Sequence, residues 1–307
     1  MDILNEVNDR FPVRNSDAQK KAFRAWAAEK ARAAGLDARE ENNGGHINLV
    51  VGDPEKAQVL FTAHYDTPRR SLFPNLMLPT KKVLRYVYSF AILLPMLAVS
   101  ILGARLARNT AFPALGEIPS RFVMLAVYAA LFFGLYCLIM HGPANRANKN
   151  DNTSGTAAVL SLALRLPGET RAAWILFDDE EKGKKGSKAY AAAHPEIKAG
   201  KLVVNMDCVG NGTRFLAGIP DAARANPACP ALEEALNALG ALVLPSRKIS
   251  MNSDQMSFDQ GVGICACLPH RWVGWYVPSI HTSRDTVASG DTTEALAGAL
   301  EGFVRKI

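Results

Sequence analysis

Two apolar runs in the middle of the chain constrain its fold more than anything else in the sequence. Residues 86–104 and 122–140 are each nineteen residues long and contain no Asp, Glu, Lys or Arg. At helical rise each spans roughly 28 Å, close to the thickness of a bilayer's hydrocarbon core. Arg85 and Arg105 bracket the first run, and Arg121 precedes the second. Pro95 would break a helix in water but is tolerated in lipid. Helices that are apolar on every side for about five turns, twice in succession, are scarce in globular cores. The runs are therefore expected to form a transmembrane helical hairpin occupying residues 81–141, in preference to a buried lid or dimer interface.

The formal net charge of +6 is concentrated around the same region. Between Thr67 and Asn150 there are ten Lys or Arg and one acid, Glu117, which leaves the rest of the chain at −3. A basic excess confined to one segment gives no reason to expect a nucleic-acid partner; membrane lipid is the expected one. Arg69, Arg70, Lys81, Lys82, Arg85, Arg146 and Lys149 flank the hairpin on one side, against Arg105, Arg108 and Arg121 in its connection. The positive-inside rule then places the bulk of the chain on the cytoplasmic side of an inner or plasma membrane. No apolar h-region follows Met1, so no secretory signal peptide is expected. Five cysteines without metal-knuckle spacing do not read as a disulfide framework. Cys265 and Cys267 are expected to point to opposite sides of one strand or to pack as small core residues.

Outside the apolar runs, strands alternate with helices. Ser16-x-x-Gln19 is a capping-box start for a helix that buries Phe23, Trp26, Ala27 and Ala31. Residues 46–51, 58–63, 173–177, 202–206 and 263–268 read as strands, and 153–166, 187–194 and 230–239 as helices. A last helix opens at Asp291-x-x-Glu294 and buries Leu296, Leu300, Phe303 and Val304. This alternation argues for an α/β sandwich on a mostly parallel sheet. Residues 1–80 and 142–307 then form one discontinuous domain around the inserted hairpin.

The strand 173–177 stops at four consecutive carboxylates, Asp178, Asp179, Glu180 and Glu181. Such a run is either a solvated turn neutralised by Lys182, Lys184 and Lys185, or a group of acids held together by a cation. His64 and Asp207 also lie just past the carboxyl ends of apolar strands, at the edge where ligands bind in open α/β sheets. A His, two Glu and an Asp on one edge suit zinc.

The pattern resembles the co-catalytic di-zinc aminopeptidases, the family that also contains glutamate carboxypeptidase and glutaminyl cyclase. The motifs that carry the resemblance are Ala63-His64-Tyr65-Asp66-Thr67, Asn150-Asp151-Asn152-Thr153-Ser154-Gly155 and the run from Phe177 through Gly186-Ser187. Asn205-Met206-Asp207, Ser253-Asp254 with Phe258, and His281-Thr282 with Asp285-Thr286 follow in order. The resemblance implies a three-layer zinc exopeptidase sandwich with a central, mostly parallel mixed sheet. It implies two zinc ions per chain, one held by His64 and Asp207 and the other by Glu181 and His281, with Asp151 bridging both. Glu180 would be the general base, and Asp66 would orient His64; Asp285 would act similarly near His281. Two departures stand out. Ile280 occupies the position before the last histidine where such proteins often carry Tyr, and Tyr276 nearby is not a motif match. The hairpin, moreover, separates His64 from Asp151.

The implied function is a membrane-anchored aminopeptidase acting on peptides with a free N-terminus. A glutaminyl cyclase-like zinc acyltransferase and a non-catalytic binding protein are the alternatives.

Overall fold

The structure, a computed structural model, describes residues 2–307. Helix α1 (Ile3–Arg10) leads into α2 (Asp17–Ala33), whose N-cap Ser16 and Gln19 form the reciprocal capping box. Strands β1 (Ala38–Asn43) and β2 (His46–Val51) pair antiparallel across Gly44-Gly45, both at positive φ. Two residues with φ > 0 make the tight turn that matches strand twist, and glycine takes it without strain. Strand β3 (Val59–His64) ends on His64 itself, so this histidine is the last strand residue and does not lie past the strand.

The apolar runs are two long helices, α3 (Lys82–Leu115) and α4 (Glu117–Met140), joined at Gly116. The stretch between the runs is therefore helix and turn where a loop was expected. Charge marks the end of an apolar run, whereas the Ala-, Leu- and Arg-rich sequence 104–108 continues the helix readily, and the helix runs on past Pro113 to Leu115. The helices cross closely at Gly103, where a Cβ would collide with the Leu131 side chain. Little of either helix is buried: Met96, Ser100 and Ala104 of α3, and Ser120 and Ile139 of α4. Leu102, Leu106, Phe122, Leu125, Phe133 and Leu138 face outward and are exposed. At the tip, Glu117 pairs with Arg108 at 2.7 Å and Arg121 at 2.8 Å.

After the turn Lys149–Ser154 come α5 (Gly155–Arg165), β4 (Ala172–Phe177), α6 (Lys185–Ala193), α7 (Pro195–Gly200) and β5 (Leu202–Met206). Strand β6 (Arg214–Ile219), α8 (Asp221–Arg224), α9 (Cys229–Ala238), β7 (Leu242–Pro245), β8 (Gly261–His270), β9 (Gly274–Tyr276) and α10 (Gly290–Lys306) complete the chain. Helix α10 is capped by Ser289, whose side chain accepts from Thr292 N; this upstream hydroxyl takes the role expected of Asp291.

One mixed sheet holds every strand, in the order β1-β2-β4-β3-β5-β8-β6-β7 with β9 pairing β8. Its centre, β4-β3-β5-β8, is parallel, and β1, β2 and β6 add antiparallel contacts outside it. The parallel strands are apolar on both faces because helices cover both. Val59, Phe61 and Ala63 pack on one side with Trp174 and Leu176, against α1, α2, α5, α9 and α10. Leu60, Ala173, Ile175, Phe177 and Val203 pack on the other, against Tyr190 and Ala191 of α6 and Ile197 of α7. Cys265 and Cys267 share a face of β8, with sulfurs 3.5 Å apart, because residues two apart on a strand point the same way. Both are buried, packed as small core residues.

Candidate metal centre

The carboxyl ends of β3, β4 and β5 lie side by side, and the chain leaving each brings charged side chains to one place. His64 ends β3 and is 1 % exposed. Its Nδ1 lies 3.2 Å from the Asp66 carbonyl oxygen and 3.3 Å from Asp66 Oδ1. Two acceptors there hold a ring proton on Nδ1 and turn Nε2 toward Asp151 Oδ1 at 3.6 Å and Asp207 Oδ1 at 3.8 Å.

Asp66 also orders the next strand's exit. Its Oδ1 accepts from Glu180 N at 3.1 Å and its Oδ2 from Glu181 N at 3.2 Å. The four acids after β4 therefore divide. Asp178 and Asp179 turn away and share the buried ammonium of Lys20, and Asp179 also pairs with Lys182 and His46. Glu180 and Glu181 turn inward. The lysines that hold the outward pair are thus Lys20 from α2, far upstream, and, of the three adjacent ones, Lys182.

Asp151 sits in the turn before α5, and its position is fixed by its neighbours. Asn150 Oδ1 accepts from Gly210 N and Asn211 N, at 2.9 and 3.0 Å. Asn152 donates to Met206 O at 3.0 Å and accepts from Cys208 N at 3.1 Å. These two asparagines clamp the turn to the chain leaving β5. Gly155 permits the approach, since a Cβ there would strike the Met206 carbonyl oxygen. Asp285 accepts from Asn150 N at 3.1 Å and Asp151 N at 3.0 Å, so it grips the backbone beside Asp151.

His281 arrives from the loop after β9 at φ 62, a left-handed conformation that a side chain makes costly. Its Nε2 lies 3.2 Å from Asp151 Oδ2 and 3.3 Å from Glu181 Oε2. The two oxygens of Asp151 thus face different histidines. Three donor groups result: His64 with Asp151 and Asp207, Asp151 with Glu181 and His281, and His64 with Glu180 and Glu181.

The electrostatics of the bare donors fit a cation. Burial pushes the Glu181 carboxyl up to about 8, reinforced by Asp151 against the pull of His281. Glu180 is also driven well above the usual carboxylate range, by burial first and by its acidic neighbours. Asp151 goes the other way: burial opposes its ionisation, but His281 and His64 hold it well below that range. Glu181 Oε1 is buried with no hydrogen-bond partner among the described residues. Oxygen and imidazole donors of this kind, with unsatisfied negative charge, match a divalent ion such as zinc.

All eight residues given a role from the sequence therefore stand at one sheet edge, although Asp285 grips the backbone beside Asp151 where an orienting contact to His281 was expected. Three others join them without having been given a role. Asp254 is fully buried with neither carboxylate oxygen hydrogen-bonded among the described residues, and burial raises it to about 7. Cys208 donates its thiol to Asp207 Oδ1 at 3.1 Å. Arg85, at the foot of α3, lines the cavity of about 70 Å³ that opens onto Asp151, Glu180, Asp207 and His281. Asp254 lies within a quoted motif, but Arg85 carried only a charge in its sequence context. Ile280 lines that cavity too, whereas Tyr276 lines a separate groove with Val277 and Pro278.

A profile of peptidase family M28 matches residues 144–300. No curated protein sequence matches the chain. Among solved structures, a Zn-dependent exopeptidase from Parabacteroides distasonis is similar at 15% identity and TM-score 0.62, covering 99% of this chain and 96% of that one. Glutaminyl cyclase from Porphyromonas gingivalis is similar at 15% identity and TM-score 0.60, with coverage of 99% and 96%. The LapA aminopeptidase of Legionella pneumophila is similar at 14% identity and TM-score 0.58, with coverage of 99% and 68%. At these identities the likeness is one of fold.

Proposed function

The chain belongs to peptidase family M28, and we propose that it is a membrane-anchored aminopeptidase that removes N-terminal residues from peptides with two zinc ions. The observation that carries this reading is Asp151, whose two oxygens are shared between two donor groups. His64 and Asp207 would complete one zinc site, and Glu181 and His281 the other. Zinc bound there supplies Lewis-acid polarisation of the substrate carbonyl and lowers the pKa of water.

The protein's own residues do the rest. Glu180 takes a proton from the attacking water and delivers it to the leaving amine. Its burial beside other acids raises its proton affinity, the direction a proton shuttle needs. Asp66 positions Glu180 and Glu181 through their backbone N–H groups and fixes the His64 ring, so one carboxylate sets the aim of three functional side chains.

The test is a panel of chromogenic aminoacyl amides with and without a chelator. Hydrolysis that chelation abolishes and zinc restores is expected, with near two zinc ions per chain. Glutaminyl cyclisation is the second reading, since glutaminyl cyclase shares the fold. It would show near one zinc per chain and turnover of N-terminal glutamine without hydrolysis.

The domain reading places residues 1–80 and 142–307 in one peptidase domain and residues 81–141 in a hairpin that crosses the membrane. Its support is the exposed apolar exterior of α3 and α4, together with their length. Glu117, paired with Arg108 and Arg121, offsets the charge that an outside tip would otherwise carry. A cysteine at Ala114, in a background lacking Cys137, is expected to react with a membrane-impermeant maleimide in intact cells. Labelling only after lysis would put the tip inside, and recovery of the whole protein without detergent would remove the membrane reading.

A further inference from the structure

Arg85 is the feature of the cleft that the hydrolytic reading leaves unexplained. It stands in the first turn of α3, half-buried, and shares the small cavity with Glu180 and the proposed zinc ligands. No ion pair or hydrogen bond among the described residues involves its guanidinium. An arginine that points into an acidic cavity yet pairs with none of the acids has its complement elsewhere.

The surroundings indicate what that complement is. Arg85 and Asn252 line both this cavity and an adjoining pocket of about 520 Å³, so they mark the junction between the two. Lys82, one turn earlier on the same helix face, also lines the outer pocket. Among the described residues the one acid lining that pocket is Asp259, which is exposed. Asn252 Oδ1 is occupied by Lys184 Nζ at 2.7 Å, which leaves its amide N–H groups to donate. With the inner acids matched by two divalent cations, the junction has an excess of positive charge and of donors. A guanidinium in such a place recognises a planar carboxylate through paired N–H···O bonds.

We propose that Arg85 is a specificity residue which binds a carboxylate of the substrate next to the scissile bond, making peptides that carry a carboxylate there the preferred substrates. The proposal rests on the peptidase reading above. The carboxylate has two sources: an Asp or Glu side chain flanking the scissile bond, or the terminal carboxylate of a dipeptide. The inserted hairpin then does more than anchor the enzyme, because its first turn selects what is cleaved.

The test compares matched substrates on the zinc-loaded full chain in detergent. Glutamyl and glutaminyl chromogenic amides form one pair, which tests a side-chain carboxylate. Alanyl-alanine and its carboxamide form the second, which tests a terminal one. The carboxylate member of one pair is expected to have a kcat/KM about 10- to 100-fold higher. In Arg85→Gln that ratio is expected to fall to near one, in Arg85→Glu to fall below one, and in Arg85→Lys to survive in part. A ratio taken within one preparation is independent of how much of a variant has folded, so a destabilised variant remains informative. Wild-type enzyme with no preference in either pair would overturn the proposal. So would an Arg85→Gln variant that loses activity equally on both members, which would place Arg85 at the scissile carbonyl. Failure to cleave any member would overturn the peptidase reading, and this proposal with it.

Discussion

Glu180→Gln is expected to lower kcat by about 10²- to 10⁴-fold while zinc content and melting temperature stay at wild-type values. The amide has the shape of the carboxylate and keeps its place in the buried cavity. What it loses is the proton-carrying capacity proposed for Glu180. Geometry alone leaves Glu180 a second role, because it also forms a donor group with His64 and Glu181. Metal analysis separates the two roles. An inactive variant with full zinc identifies a proton carrier, an inactive variant short of zinc identifies a ligand, and activity within a few-fold of wild type removes Glu180 from the mechanism.

Asp151→Ala is expected to empty both zinc sites together and to reduce hydrolysis to background. Each of its oxygens faces one histidine, Oδ1 toward His64 and Oδ2 toward His281, so no other residue stands in both groups around it. Glu181→Ala, by contrast, should chiefly weaken the site that includes His281. Zinc counted per chain in the two purified variants checks this. Full stoichiometry in Asp151→Ala would show that the shared carboxylate is not a bridge. Asp151 is also a turn residue held through its backbone by Asp285, and the flanking asparagines do not depend on its side chain. Loss of metal without loss of fold is therefore the expected pattern.

The central parallel strands could be read from the sequence because each is a short, mainly apolar run, too short for a buried helix and apolar on both faces as a doubly covered sheet requires. The edge could not be read in this way. Strand β1 is Ala-Arg-Glu-Glu-Asn-Asn, polar after its buried Ala38, and takes its conformation from pairing with β2; Gly44-Gly45 was its one local signal. Strand β7, with four residues, has too little periodicity to register. In the site, His64, Asp207 and the acids after β4 announced themselves by closing an apolar strand, whereas Asp151 and His281 were legible only through the motif resemblance. Asp254 and Arg85 follow no such strand. Their relevance comes from long-range folding, which buries one carboxylate without a partner and swings the foot of a distant helix over the cleft. The division of the four acids was hidden for the same reason, since Lys20, which holds two of them, is separated from them by the hairpin.

The order in which the chain is made has its own consequence for the sheet. Strand β3 carries His64 and lies at the middle, with β4 on one side and β5 on the other, and both partners come after the hairpin in the chain. During synthesis at roughly 5–20 residues per second, β3 therefore waits on the order of ten seconds for its first parallel neighbour. Throughout that interval an apolar strand with both edges unpaired sits beside a ribosome that is still emitting two apolar helices. Wherever those helices go, they are made before Asp151 and before β4 and β5, so His64 and Asp151 can meet only after the whole hairpin has been synthesised.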